Sequence, residues 1–331
     1  MNAVTRNPAL ALADSWQRDF PLEPRPFARV GEAAELSECE VIELMQSLKD
    51  LGILARIGAA VRPNTVGAST LAAMAVPDIR LDEVADLVSG HPAVNHNYER
   101  EHDLNLWFVV TAANRAEVTG ALDDIARASG IEVHDLPLEQ AYHIDLGFSL
   151  AGTRSRRPER APITCEPNVE EVDRALLHAL EAGLELVERP YAGLAAQIGL
   201  GEADVLARLR SLIERGIVAR FGCILRHRPI GYRANAMAVW DVPDEHVDML
   251  GERLARHGEV TLCYRRTRRP PAWPYNLFAM VHGRERDAVA EQIAEAGRNV
   301  GLGDFPSSVL FSRRCFKQSA ARLAPRIGGA A

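Results

Sequence analysis

The chain has 331 residues, with 38 Lys and Arg against 45 Asp and Glu, and a formal net charge of −7. That length allows two or more domains with separate cores, and a hydrophobic share of 47% with 25% charged residues excludes disordered and fibrous classes. No apolar run approaches the roughly 20 residues of a membrane-spanning helix, the N-terminal apolar patch is broken by Asp14, and a cytoplasmic protein without a secretory signal is expected.

Cys39, Cys165, Cys223, Cys263 and Cys315 form no C-x-x-C pair, so neither a disulfide framework nor a zinc ribbon is expected. The acidic balance disfavours a protein whose main task is to neutralise phosphates. Lysine occurs only at Lys49 and Lys317. The preference for arginine is what a GC-rich genome produces, and it also supplies planar forks that bind carboxylates in bidentate fashion.

In chain order, "PFARVGEAAELSECEVIELMQSLKDLGIL" (Pro26 to Leu54) reads as a helix-turn-helix, and a strand, helix, strand, strand, helix, strand pattern follows. "AGTRSRRPERAPITCEPN" (Ala151 to Asn168) is polar, contains proline and has no period, as a linker does. The same order then returns. "PYAGLAAQIGLGEADVLARLRSLIERGIV" places Leu194, Ile198, Val205, Leu209, Leu212 and Ile213 at helical spacing, with a turn at Gly199–Gly201 and a stop at Gly216. "IVARFGCIL" is a wing strand. "ANAMAVW", "DEHVDMLGERLARHG", "EVTLCYRR", "YNLFAMVHG", "ERDAVAEQIAEAGRNVG" and "FPSSVLFSRRCF" complete a ferredoxin-like βαββαβ unit.

The chain is written twice. Leu48–Ala68 matches Leu212–Tyr232 without a gap, "HPAVNHNYERE" from His91 matches "HGEVTLCYRRT" from His257, and "LNLWFVV" from Leu104 matches "YNLFAMV" from Tyr275. The expected fold class is α+β, two tandem repeats, each a winged helix-turn-helix followed by a ferredoxin-like sandwich. The expected boundaries are 9–62 and 63–148 for the first repeat, 149–168 for the linker, and 169–227 and 228–318 for the second.

This layout resembles the feast/famine (Lrp/AsnC) transcription regulators. A regulator reads DNA from the start of its second helix, yet Glu38, Glu40, Glu202 and Asp204 stand there, where they stabilise the helix and repel phosphate. Arg208 and Arg210 come later on that helix, and no specific DNA binding is expected. "RFGCILRHRPIGY", "CYRR" and "WPYNLFAMVHG", with "RIGAAVRPNTVGAST" and "HNYERE…LNLWFVV", resemble the siroheme decarboxylases, a branch with the regulator architecture, and in particular the form in which D-type and L-type subunits are fused. The resemblance covers nearly the whole chain. It implies non-oxidative removal of two acetate carboxyl groups from siroheme to give 12,18-didecarboxysiroheme in haem d1 biosynthesis. The other readings are a regulator that senses haem or an amino acid, and a non-catalytic tetrapyrrole carrier.

The implied substrate is a flat iron tetrapyrrole with carboxylates at its rim, so a site needs apolar walls, cations at the edge and a proton donor for the carbon left behind. The iron belongs to the substrate, and no cofactor or metal site of the protein's own is expected. Histidine is the natural donor near neutral pH. His282 stands where the first half has Thr111, His227 where it has Pro63, and His96 where the second half has Leu262. Two of these are peculiar to the second half, which points to one working site built mostly by that half. The substrate-binding candidates are Arg226, Tyr264, Arg265, Arg266, Arg268, Arg269, Trp273, Tyr275 and Asn276, with Tyr98 and Arg100 from the first half. Arg265 and Arg266 alternate on a strand, so only one faces the pocket. Arg268 and Arg269 precede Pro270 in a loop suited to closing over rim carboxylates, and Trp273 and Tyr275 read equally well as core. Siroheme is the implied partner. Further decarboxylase subunits and homodimerisation stay open, and the two halves are expected to pair as an internal pseudo-dimer.

Overall fold

The computed structural model of the chain describes residues 7–144, 169–226 and 228–319. The first half contains helices α1 (Pro8–Ser15), α2 (Pro26–Ala34) and α3 (Glu38–Asp50), strands β1 (Leu54–Val61) and β2 (Ala68–Met74), α4 (Leu81–Gly90), β3 (Val94–Arg100), β4 (Leu106–Ala112), α5 (Arg115–Ser129) and β5 (His134–Ile144). The second half repeats the order with α6 (Glu171–Ala179), α7 (Pro190–Ile198), α8 (Glu202–Glu214), β6 (Val218–Leu225), β7 (Ala234–Trp240), α9 (Asp244–Ala255), β8 (Val260–Arg266), β9 (Leu277–Gly283), α10 (Arg286–Val300) and β10 (Ser307–Gln318). The expected linker and His227 lie outside the described residues. Among the described residues no helix is long and apolar enough to cross a membrane. The chain divides at Val66/Gly67, Ile144/Asp145 and Ile230/Gly231 into two compact units, and each unit takes its segments from both halves.

The first unit holds both helix-turn-helix segments. α3 opens on a capping box, in which the Ser37 hydroxyl accepts from the Glu40 amide while the Glu40 carboxylate accepts from the Ser37 amide. α3 and α8 both stop before a left-handed glycine, Gly52 (φ +68) and Gly216 (φ +72). Each half contributes a single wing strand, and a single strand has no ladder of its own. β1 and β6 therefore pair with each other across the repeat, antiparallel, with Gly58 opposite Gly222. α1 lies against this ribbon, where the Cys223 amide donates to the Trp16 carbonyl at 2.8 Å. A Cβ on Gly222 would stand 2.5 Å from the carbonyl oxygens of both Trp16 and Gln17. Gly222→Ala is therefore expected to destabilise the protein by about 1–3 kcal/mol, the usual cost of overpacking, read as a lower denaturant midpoint at constant slope.

The second unit is a closed eight-stranded barrel in the order β10-β3-β4-β2-β5-β8-β9-β7. β5 pairs with β2 over His134–Pro137 and then with β8 over Leu138–Ile144, while β10 pairs with β7 over Ser307–Phe311 and then with β3 over Ser312–Gln318. These two long strands stitch one half's sheet to the other's, so the halves pair within one chain. Side chains alternate along each strand between two faces. One face packs under helices, Ala72, Met74, Leu106, Phe108 and Val110 beneath α4 and α5, and Ala236, Ala238, Trp240, Leu277, Ala279 and Val281 beneath α9 and α10. The other face turns into the barrel and forms a separate cluster of Leu71, Trp107, Leu136, Met237, Tyr264, Trp273, Phe278 and Met280 with its neighbours.

Candidate active site

The inward positions of β3 are His96, Tyr98 and Arg100. The His96 and Tyr98 rings are stacked at 6.2 Å, and the Arg100 guanidinium lies 5.7 Å from the Tyr98 centroid. The corresponding row on β8 is Leu262, Tyr264 and Arg266, with the Arg266 guanidinium 4.5 Å from the Tyr264 centroid. His282 enters from β9. All neighbouring strands are antiparallel, so the start of β3 and the end of β9 lie towards the same rim of the barrel. His96 and His282, both half-buried, therefore share one rim.

The two inward arginines are related by the repeat and engaged in the same way. Arg100 donates through Nη1 to the Leu310 carbonyl at 3.2 Å, and Arg266 through Nη1 to the Leu136 carbonyl at 2.7 Å. The Nε of each is shut off from solvent and has no hydrogen-bond partner. Burial pulls both guanidinium pKa values down, and the nearby tyrosines oppose this, joined at Arg266 by the charge of Asp135. Arg265, Arg268 and Arg269 each make an ion pair, but among the described residues these two make none. Holding a desolvated cation with little or no counter-charge is costly by several kcal/mol, and a carboxylate arriving from outside would offset that cost. Asn235, which faces inward on β7 opposite His282 in register, also has a buried, unpartnered Oδ1.

Each histidine is held from behind. His282 Nδ1 is 3.1 Å from the Thr261 hydroxyl, and that hydroxyl donates to the Met280 carbonyl at 3.0 Å. His96 Nδ1 is 3.1 Å from Asn95 Oδ1, and Asn95 Nδ2 donates to Thr111 Oγ1 at 3.1 Å. Each half thus brings one of the candidate histidines to this rim, whereas the sequence pointed to a site built mostly by the second half.

The structure places Trp273 and Tyr275 in the inner cluster of the barrel and the remaining described candidates away from these rows. Arg265 faces outward and pairs with Glu139 (2.8 Å), Asp244 (3.3 Å) and Asp248 (3.7 Å), so Arg266 is the inward member of that pair. Arg268 is fixed by Asp241 at 2.9 Å and Asp244 at 2.7 Å, and it pulls the Asp244 carboxyl below its usual range. It cannot be a mobile rim clamp. Arg269 donates to the Arg268 carbonyl at 3.2 Å and lies 4.0 Å from Asp135, and its backbone bridges to Trp273. Trp273 is fully buried as core, edge-on to Trp107 at 4.8 Å and to the partly buried Tyr275 at 4.9 Å. Asn276 is structural, because its amide bonds the N–H and the C=O of Val242 just as Asn105 bonds those of Val76 in the first half. Arg226 is exposed in the other unit, near Gly52.

Thr261, Asn95, Thr111 and Asn235 were missed by sequence reasoning, although the repeat alignment carried a signal. Asn95 faces Thr261 across the repeat, two small polar residues directly before the inward rows of strands that otherwise pack cores. Both mark a β-bulge, since the register shifts between Val94 and His96 in one half and between Val260 and Leu262 in the other. Bulges re-aim side chains and concentrate near functional sites.

Comparison with known proteins agrees with this layout. A model of the AsnC-like ligand binding domain matches residues 66–143 and 229–317, and a model of the siroheme decarboxylase NirDL-like HTH domain matches residues 11–54 and 173–218. The chain is 45% identical over 315 residues to a siroheme decarboxylase NirDL subunit of Paracoccus denitrificans (strain Pd 1222), covering 95% of this chain and 97% of the relative. It is 50% identical over 150 residues to a siroheme decarboxylase NirL subunit of Stutzerimonas stutzeri, covering 45% of this chain and 88% of that subunit. The crystal structure of the siroheme decarboxylase NirDL in co-complex with an iron-uroporphyrin III analogue superposes with a TM-score of 0.67 at 26% identity, over 96% of this chain and 93% of the other.

Proposed function

The chain belongs to the siroheme decarboxylase NirDL family, and from that premise we propose that it is a carboxy-lyase that removes two acetate carboxyl groups from siroheme, giving 12,18-didecarboxysiroheme for haem d1 biosynthesis. The observation that carries this reading is the pair of inward arginines that make no ion pair among the described residues, Arg100 buried and Arg266 half-buried with only the more distant Asp135 as counter-charge, on the same inward rows as the rim histidine and the tyrosines. Siroheme brings rim carboxylates that such forks bind through short, charge-assisted hydrogen bonds. In each decarboxylation the carbon–carbon bond to the carboxylate breaks, carbon dioxide leaves, and the electron pair stays on the side-chain carbon, where the macrocycle delocalises it. A proton from an imidazole, His282 or His96, then converts that carbon to a methyl group. The reaction is redox-neutral, and the iron arrives with the substrate.

Anaerobic incubation of the purified protein with siroheme, followed by mass analysis of the extracted pigment, tests the reading. Loss of two carboxyl groups is the expected result. Unchanged pigment that co-purifies with the protein would instead indicate a carrier.

The helix-turn-helix segments serve no DNA in this reading. Glu38 at the start of α3 is ion-paired with Arg25, and Glu202 at the start of α8 with Arg189, so carboxylates occupy both positions that would meet a phosphate. No saturable, salt-sensitive retention of duplex DNA is expected at nanomolar protein and physiological salt. A specific footprint under those conditions would revive the regulator.

A further inference from the structure

We propose that Thr261 is a positioning residue that holds His282 as the Nδ1–H tautomer, so that the ring takes up and gives out its proton at Nε2, and that Asn95 does the same for His96. The proposal rests on the decarboxylase reading for its purpose and on hydrogen-bond accounting for its content. The Thr261 hydroxyl has one hydrogen. It goes to the Met280 carbonyl at 3.0 Å, because a carbonyl oxygen can only accept. Towards His282 Nδ1, at 3.1 Å, the same oxygen has only lone pairs to offer, so Nδ1 must carry the hydrogen. In the first half Asn95 turns its carbonyl oxygen to His96 Nδ1 at 3.1 Å, and its amide nitrogen to Thr111 Oγ1 at 3.1 Å, which makes the same demand on the ring.

The repeat supplies an independent argument. Asn95 and Thr261 are aligned residues, and both sit at a β-bulge. The histidines they hold are not aligned: His96 follows Asn95 on its own strand, whereas His282 reaches Thr261 from the neighbouring strand β9. A polar bulge residue kept for ladder geometry alone would not meet an Nδ1 in both halves by two different routes. Holding Nδ1–H against an acceptor also stabilises the imidazolium, the form that donates.

The test uses the full chain labelled with ¹⁵N-histidine. Two-bond ¹H–¹⁵N correlation spectra of the substrate-free protein, with the His282 signals identified by their absence in His282→Gln, read which ring nitrogen carries the proton. Wild type is expected to show protonated Nδ1. Thr261→Val, which keeps the shape and removes the acceptor, is expected to lose that signature and to lower kcat about three- to tenfold with KM little changed, the scale of one neutral hydrogen bond. Thr261→Ser is expected to restore both. A Val variant with the wild-type nitrogen pattern, or a Ser variant no better than Val, would overturn the proposal. The nitrogen signature needs no turnover, so a wild type that shows protonated Nδ1, loses it in Thr261→Val and leaves siroheme intact would support the tautomer assignment and overturn the decarboxylase reading instead.

Discussion

Arg100→Met and Arg266→Met are each expected to weaken siroheme binding about ten- to hundredfold while leaving the fold as stable as wild type, or more stable. The first effect follows from losing at least one charge-assisted hydrogen bond to a substrate carboxylate, worth about 1.5–3 kcal/mol. The second follows from the desolvation penalty, because each guanidinium is held inside the barrel with its Nε unpartnered and makes no ion pair among the described residues, Arg266 having only the more distant charge of Asp135 against it. Exchanging such a group for an apolar one of similar volume is commonly neutral or stabilising. The substitution also forfeits the bond to the Leu310 or the Leu136 carbonyl, which offsets part of the gain. Lys at either position should recover only part of the affinity, since it keeps the charge and loses the fork. Thermal unfolding and equilibrium titration with siroheme, run on the same preparations, check the pair of effects together. An ordinary core residue would give the opposite pattern, with a lower melting temperature and unchanged binding, and that result would remove the arginines from the site.

The outward arginines make a control of the same chemistry. Arg268→Met breaks ion pairs to Asp241 and Asp244 that fasten the loop between β8 and β9. It is expected to lower stability by about 1–3 kcal/mol, because the half-buried guanidinium also loses its hydrogen bonds to the Pro274 and Val242 carbonyls, and to leave siroheme binding within a factor of a few. Equal effects from Arg268→Met and Arg266→Met on binding would contradict the sorting of inward from outward residues.

Much of the architecture was legible because it depends on short-range pattern. The two helix-turn-helix units follow from apolar spacing and from Gly52 and Gly216 at the helix ends, and the βαββαβ order follows from alternation in segments such as "ANAMAVW" and "YNLFAMVHG". Barrel closure was not legible. It depends on β5 and β10 running past their own sheets to pair with the other half, and "HDLPLEQAYHI" shows that a strand is present without naming its second partner. The wing strands hid their partners in the same way, since β1 and β6 pair across 164 positions of sequence for Gly58 and Gly222, 222 minus 58. Within the site, alternation established that only one of Arg265 and Arg266 could face inward, and the choice required knowing that Glu139, Asp244 and Asp248 surround Arg265. The dense basic loop drew attention to Arg268 and Arg269, whose carboxylate partners come from distant segments. Arg100, in a less conspicuous stretch, belongs with Arg266 only because of the repeat. Thr261 and Asn95 were overlooked because a bulge changes which residues share a face, and alternation alone reads straight through it.

The largest effects are expected at the two rim histidines. His282→Ala and His96→Ala should each lower the rate of proton delivery about 10²- to 10⁴-fold, the usual span for a general acid, with a much smaller change in siroheme affinity, because affinity comes from the ring walls and the arginines. The arrangement also predicts which pigment accumulates. The reaction removes two acetate carboxyl groups, and each half of the chain places one imidazole at the same rim, held by its own bulge residue. With one imidazole gone, the decarboxylation it serves stalls while the other proceeds, so each single variant should build up a pigment that has lost one carboxyl group. The two variants should yield different positional isomers, and the double variant should return siroheme unchanged. Anaerobic single-turnover reactions quenched over time, with the pigments separated by chromatography and weighed by mass spectrometry, resolve these outcomes. Full didecarboxylation by His96→Ala at the wild-type rate, with both steps lost in His282→Ala, would restore a single working imidazole supplied by the second half. Wild-type rates in both variants would mean that the proton comes from neither ring.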